Sequence, residues 1–233
     1  MTTFALVHGS WHDGWCWQAV AAELEARGHS AVAPDLPCDD TAAGCEEYAE
    51  VVLDALGDAD DDVVVVGHSL GGLTAVLVAA ERPVARLVYL CALVPRPGGR
   101  VFDIEDGEPP MYSPGFGGAP EEDEAERSWW PAAAAVEQLY ADVPADLARE
   151  AASRLRPQAR PVVRRPCTLA ELPAVETVSI VARDDAAISP EWSRWTARTR
   201  LGIEPVEIDG GHFPMLTRPA ELADLLYRCG SSS

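Results

Sequence analysis

Apolar positions in the first 95 residues follow two alternating rhythms. One is the short unbroken run. Phe4-Ala5-Leu6-Val7-His8 ends at Gly9, Ser30-Ala31-Val32-Ala33 ends at Pro34, and Leu87-Val88-Tyr89-Leu90 repeats the form. Val63-Val64-Val65-Val66 is the strongest of them, four β-branched residues between Asp62 and Gly67. The other is the helical stripe. Trp17, Val20, Ala21 and Leu24 recur three and four apart before Gly28. Tyr48, Val51, Val52, Ala55 and Leu56 form a second stripe, and Leu73, Val76, Leu77 and Ala80 a third. Strands apolar throughout and separated by helices predict a parallel sheet covered on both faces, the α/β class.

The rhythm stops between about Pro95 and Pro166. This stretch is rich in Pro and Gly (Pro109-Pro110, Pro114-Gly115, Gly117-Gly118) and holds the acidic run Glu121-Glu122-Asp123-Glu124. It also holds Met111, Tyr112, Phe116, Trp129, Trp130, Leu139 and Tyr140, and so many large apolar groups need burial. The reading is a loop followed by two or three short helices, an insertion lying over the sheet of a single domain spanning residues 1–233. Its arginines, six between Arg149 and Arg165, suggest a solvated face balancing nearby acids more than an anion site. The rhythm then resumes. Glu176–Val181 and Pro205–Ile208 read as strands, Trp192 and Trp195 as part of one helix, and Leu222, Leu225 and Leu226 as part of the last. The Ser231-Ser232-Ser233 tail reads as a frayed end.

Charge narrows the functional classes. Thirty-eight acids against 18 bases give a net charge of −20, which disfavours nucleic acid and anionic membranes as partners. All 18 bases are arginine, so Schiff-base lysine chemistry is absent, and the lack of asparagine removes N-glycosylation. The six cysteines form no Cys-x-x-Cys pair. No charged start followed by an apolar stretch marks a secretory signal, and no apolar run approaches the ~20 residues of a membrane span. A reduced, cytoplasmic setting is the expectation, with no metal or cofactor and with the oligomeric state open.

The chemistry concentrates at Gly67-His68-Ser69-Leu70-Gly71, a G-x-S-x-G sequence between the valine strand and the third helical stripe. Such a strand-to-helix turn projects a serine hydroxyl above the sheet, and small flanking residues let strand and helix approach. A serine hydroxyl needs a base held by a third group. His212, in Asp209-Gly210-Gly211-His212 after the last strand, occupies the sheet edge where α/β proteins place ligands. His29 reads as a helix-end cap and His68 as the variable position of the turn. The acid follows the preceding strand in Arg183-Asp184-Asp185-Ala186, and the residues alone do not choose between Asp184 and Asp185. Oxyanion donors are expected from the backbone N–H of Leu70 and, in His8-Gly9-Ser10-Trp11, from that of Ser10.

With these residues in view the chain resembles the α/β-hydrolases, and within them the branch of plant methylesterases, hydroxynitrile lyases and their bacterial esterase-like relatives. The resemblance rests on FALVHGSWHDGWCWQAVAAELEARGHSAVAPDL, VVVVGHSLGG, VARDDAAISPEWSRW and EIDGGHFPMLTRPAEL, about two thirds of the chain. It implies an α/β-hydrolase fold with a small, mostly helical cap over about Gly98 to Pro166. It also implies that Asp185 is the triad acid and that Ser10 and Leu70 are the oxyanion donors. The lyases carry a threonine after the first-loop histidine and a lysine after the triad histidine. Gly9 and Phe213 stand there, so cyanohydrin cleavage loses its cationic group and ester hydrolysis is expected. The expected activity is a serine esterase on small apolar or aromatic esters, catalysed by Ser69, His212 and Asp185. Trp11, His12, Phe116, Trp129, Trp130, Tyr140 and Phe213 are candidates for substrate contact. A lyase or acyl transferase using the same triad, or a receptor that keeps the fold with little turnover, are the alternatives.

Overall fold

Residues 1–59, 62–116 and 120–230 are described by a computed structural model, residues 229 and 230 by their backbone alone. Gly117-Gly118 and the Ser231–Ser233 tail, expected as loop and frayed end, lie outside the described residues. Six strands form the central sheet: β1 (Thr3–Val7), β2 (Ser30–Val32), β3 (Val63–His68), β4 (Arg86–Leu90), β8 (Thr177–Ala182) and β9 (Val206–Ile208). Their order is β2-β1-β3-β4-β8-β9 and every pairing is parallel. The register sets Leu6 beside Val66 and Val66 beside Val88.

Strand periodicity divides the core in two. Phe4, Leu6, Val64, Val66, Val88 and Leu90 face one layer, and Ala5, Val7, Val63, Val65, Leu87 and Tyr89 the other. The first layer is covered by α1 (Gln18–Ala26) and α9 (Pro219–Gly230), through Val20, Leu24, Leu222 and Leu226. The second is covered by α2 (Cys45–Leu56), α3 (Gly71–Glu81) and α7 (Pro190–Thr199), through Val52, Val76 and Trp192. Both faces of β1, β3 and β4 are therefore buried, which is why these strands are built on the apolar runs Phe4–Val7, Val63–Val66 and Leu87–Leu90. Trp17 lies in a 3₁₀ turn ahead of α1, where Asp13 caps the N–H of Trp15 at 3.1 Å. His29 caps nothing with its side chain. Its Nδ1 accepts from the N–H of Thr2 at 3.3 Å and its ring lies edge-on to Phe4.

The segment between β4 and β8 carries α4 (Ala132–Gln138), α5 (Ala145–Ser153) and α6 (Pro161–Arg164). It also carries a small antiparallel sheet of β5 (Glu121–Glu122), β6 (Arg127–Trp129) and β7 (Gln158–Ala159), which the sequence pattern did not suggest. Strands of two and three residues are too short to show alternation. Local turn chemistry makes the hairpin instead: one Asp123 oxygen accepts the N–H groups of Ala125 and Arg127, each at 2.9 Å. The six arginines from Arg149 to Arg165 each pair with an acid: Asp146, Glu150, Asp39, Glu122, Glu126 and Glu47 in turn. Trp130, Leu139 and Tyr140 of this segment join the same buried cluster as Phe4 and Val64.

Candidate active site

The turn from β3 into α3 is tight because its glycines leave no room for a side chain. A Cβ on Gly67 would lie 2.7 Å from both the Gly71 carbonyl oxygen and the Gly72 Cα. Ser69, at the apex, sits at φ 52°, a left-handed conformation that a non-glycine residue adopts only when its surroundings hold it. They do so through three backbone bonds. The Ser69 carbonyl accepts from Gly72 at 3.1 Å and Leu93 at 2.9 Å, and its N–H donates to Leu90 at 3.2 Å. Leu70 is the N-cap residue of α3, so its N–H lies at the electropositive helix end. The loop after β1 closes in from the side. A Cβ on Gly9 would come within 2.9 Å of the Ser69 Cβ, so glycine alone lets this loop approach Ser69 so closely.

His212 leaves β9 on a loop ahead of α8 (Pro214–Thr217). Its Nδ1 lies 2.7 Å from Asp185 Oδ2, and both groups are buried. The other carboxylate oxygen, Oδ1, accepts the N–H groups of Ala187 at 2.8 Å and Ile188 at 2.9 Å. Asp184 is exposed and meets no part of this network, its N–H donating to Gly210 at 3.0 Å. The histidine loop is pinned twice. His68 Nε2–H donates to the His212 carbonyl at 2.9 Å, and the Gly211 N–H donates to Asp142 of the insertion at 2.8 Å. The donor atoms of Cys91, Asp185 and His212 lie within 4.8 Å of one another. Burial holds the Cys91 thiol well above its usual pKa, and the His–Asp contact within this group is a hydrogen bond.

Three further histidines surround the site and are kept neutral by burial. Desolvation pulls His8 down to about 4, His12 to about 3 and His68 well below its ordinary value. At neutral pH they act as fixed hydrogen-bonding groups.

Ser10, Trp11, His12, Ser69, Leu70, Phe116, Trp130, His212 and Phe213 line one cavity of about 500 Å³. Trp11, Trp130, Phe116 and Tyr112 form a continuous aromatic wall, with ring centroids 5.8, 6.2 and 5.6 Å apart in that order. Trp129 and Tyr140 are not in the lining. Successive residues of an extended chain point to opposite sides, so Trp130 faces in and its neighbour does not. Tyr140 is buried behind His12, with its hydroxyl 2.7 Å from His12 Nε2. Phe102, Tyr112, Leu139, Val163 and Ile188 also line the cavity; none is among the substrate contacts expected from sequence, where Tyr112 and Leu139 read only as groups needing burial. Phe102 and Tyr112 lie in aperiodic Pro/Gly-rich chain, where no pattern marks a facing side.

Residues 4–225 match the model of the alpha/beta hydrolase family. The chain is 32% identical to a rice protein (Oryza sativa subsp. indica) named Probable esterase PIR7A, across 97% of this chain and 95% of that one. It is 31% identical to Methylesterase 7 of Arabidopsis thaliana, across 96% and 94%. Among solved structures, a pyrethroid hydrolase from Sphingobium faniae JZ-2 superposes with a TM-score of 0.78 at 24% identity, covering 98% of this chain and 97% of that one. That likeness is one of fold.

Proposed function

From the premise that the chain belongs to the alpha/beta hydrolase family and is a carboxylic ester hydrolase, we propose that Ser69, His212 and Asp185 cleave carboxylic esters of small apolar or aromatic substrates. The observation that carries this reading is the buried His212–Asp185 hydrogen bond beside a serine held in a left-handed turn, on the floor of the aromatic-walled cavity. Asp185 spends one oxygen on two backbone N–H groups and turns the other to His212 Nδ1, which must then carry the proton. His212 Nε2 is left as the basic nitrogen.

Ser69 Oγ attacks the ester carbonyl as His212 Nε2 takes its proton. The N–H groups of Ser10 and Leu70 bind the oxyanion of the tetrahedral intermediate. His212 returns the proton to the departing alkoxide, leaving an acyl-Ser69 ester. Water then attacks this ester, giving its proton to His212, and the carboxylic acid and free Ser69 result. The cavity supplies dispersion contact to a flat or apolar group through the Trp11–Tyr112 wall. Its volume falls in the range usual for small-molecule sites.

The test is release of p-nitrophenol from acetyl, butyryl and benzoyl esters by the wild type, Ser69→Ala and His212→Ala. Turnover lower by roughly three to six orders of magnitude in both variants, with the fold retained by circular dichroism, is the expected result. Ester turnover that survives Ser69→Ala overturns the assignment.

A further inference from the structure

Three successive carbonyls of the oxyanion loop are each held by a hydrogen bond. The Gly9 oxygen lies 2.9 Å from His8 Nδ1, the Ser10 oxygen 2.6 Å from His12 Nδ1, and the Trp11 oxygen accepts the Arg156 N–H at 2.7 Å. No peptide here is cis, so each peptide N–H points away from its gripped carbonyl. The first of these peptides carries the Ser10 N–H. The second leads into Trp11, which sits at φ 64°, a left-handed conformation that its partners must maintain.

Proton placement in this clamp follows from the partners. A carbonyl can only accept, so His12 carries its proton on Nδ1, and Nε2 presents a lone pair. The Tyr140 hydroxyl, 2.7 Å away, therefore donates to Nε2. The same logic fixes His8, whose Nε2 accepts the Leu36 N–H at 3.0 Å. His8 is held from within the sheet layer, whereas His12 and Trp11 are held by the insertion. Tyr140 follows α4, Arg156 follows α5, and Ser128 of β6 accepts from the Trp11 indole at 3.1 Å. Tyr140 belongs to the buried core, away from the cavity lining.

We infer that Tyr140 and His12 are positioning residues for the oxyanion loop, fixing the peptide that directly follows the one bearing the Ser10 N–H, so that the insertion aligns the groups that bind the transition state as well as walling the substrate. The relay runs from Tyr140 O–H to His12, from His12 to the carbonyl of the Ser10–Trp11 peptide, and through the Ser10 Cα to the preceding Gly9–Ser10 peptide, whose N–H meets the oxyanion at an angle that both peptides set. The inference rests on Ser69 being the nucleophile.

Tyr140→Phe keeps the ring packing and removes the donor. A loss of about tenfold to a hundredfold in kcat with KM changed by less than about threefold is expected, because the lost alignment matters only in the transition state. Affinity for a trifluoromethyl ketone, which forms a tetrahedral oxyanion on Ser69, falls by a similar factor. Affinity for the alcohol product does not. His12→Asn keeps a side-chain N–H near the Nδ1 position and retains more kcat than His12→Ala. In the His12→Asn background, Tyr140→Phe costs little further, since its acceptor is already gone. Tyr140→Phe with kcat and ketone affinity both within about twofold of wild type overturns the inference while Ser69-dependent turnover stands. Turnover that survives Ser69→Ala removes its premise instead.

Discussion

Replacing Asp185 with asparagine is expected to leave the fold intact and nearly abolish turnover, and the hydrogen bonds explain why. Oδ1 faces two backbone N–H donors, from Ala187 and Ile188, at 2.8 and 2.9 Å. An amide NH₂ cannot sit there, so the asparagine oxygen takes that position and its NH₂ turns to His212 Nδ1. Two donors then face each other at a site where 2.7 Å separates the atoms. The imidazole resolves the conflict by moving its proton to Nε2, the nitrogen that has to accept from Ser69. The base is lost by tautomer, with geometry and packing retained. A change of this kind costs about 10⁴ in kcat, which is roughly 5 kcal/mol of transition-state stabilisation. The assay is p-nitrophenyl ester turnover under saturating substrate, with thermal melts to show that the variant is folded. Asp184→Asn is the control, and its exposed side chain should leave kcat within about twofold. Asp185→Asn that keeps more than about a tenth of the activity, or Asp184→Asn that loses it, refutes the role given to Asp185.

The neutral histidines make the fold sensitive to acid. His8 and His12 titrate at about 4 and about 3 when folded but near 6.5 when unfolded, so the unfolded chain binds more protons between those values. Their contribution is fully present above pH 6.5 and is lost as pH falls toward 4 and below. For His8 alone that amounts to roughly 3 kcal/mol, and urea midpoints should drop steeply from pH 7 to pH 4.5. A flat profile over that window contradicts the assigned burial. Gly9→Ala places a methyl 2.9 Å from the Ser69 Cβ and 3.2 Å from the His68 carbonyl oxygen, forcing the oxyanion loop away. A loss of about a hundredfold or more in kcat is expected, measured on the same esters. Unchanged kcat in that variant would mean that the Ser10 N–H is not a donor to the reaction.

Much of the sheet was legible because its strands are buried on both faces and so read as unbroken valine-rich runs. The turn at Ser69 was legible because its two glycines are demanded by close backbone approach, a local constraint. Asp184 and Asp185 were not separable by pattern. Both follow β8, and what distinguishes them is burial and the backbone donors of Ala187 and Ile188, which sequence alone does not reveal. Trp129 and Trp130 pose the same problem in miniature, since adjacent aromatics alternate sides and nothing local says which side faces the cavity. Tyr140 was legible as a residue needing burial. Its partner is 128 residues away in sequence, so its contact with His12 needed the folded chain. The hairpin of β5 and β6 was hidden for a different reason: it is held by one aspartate and ion pairs rather than by an apolar face.

The buried cluster that unites Trp130, Leu139 and Tyr140 of the insertion with Phe4, Leu6 and Val64 of the sheet also bears on how such a protein can diversify. A binding wall that is simultaneously the inside of the molecule cannot be exchanged as a cassette. Grafting the insertion from a relative would strip the sheet of one of its coverings, and new selectivity would arrive together with a deficit in folding. Change is cheaper at Phe102 and Tyr112, which line the cavity yet stand 53% and 42% exposed. Laboratory or natural drift in substrate range should therefore accumulate at the mouth first. The interior aromatics would follow only in lineages with stability to spare.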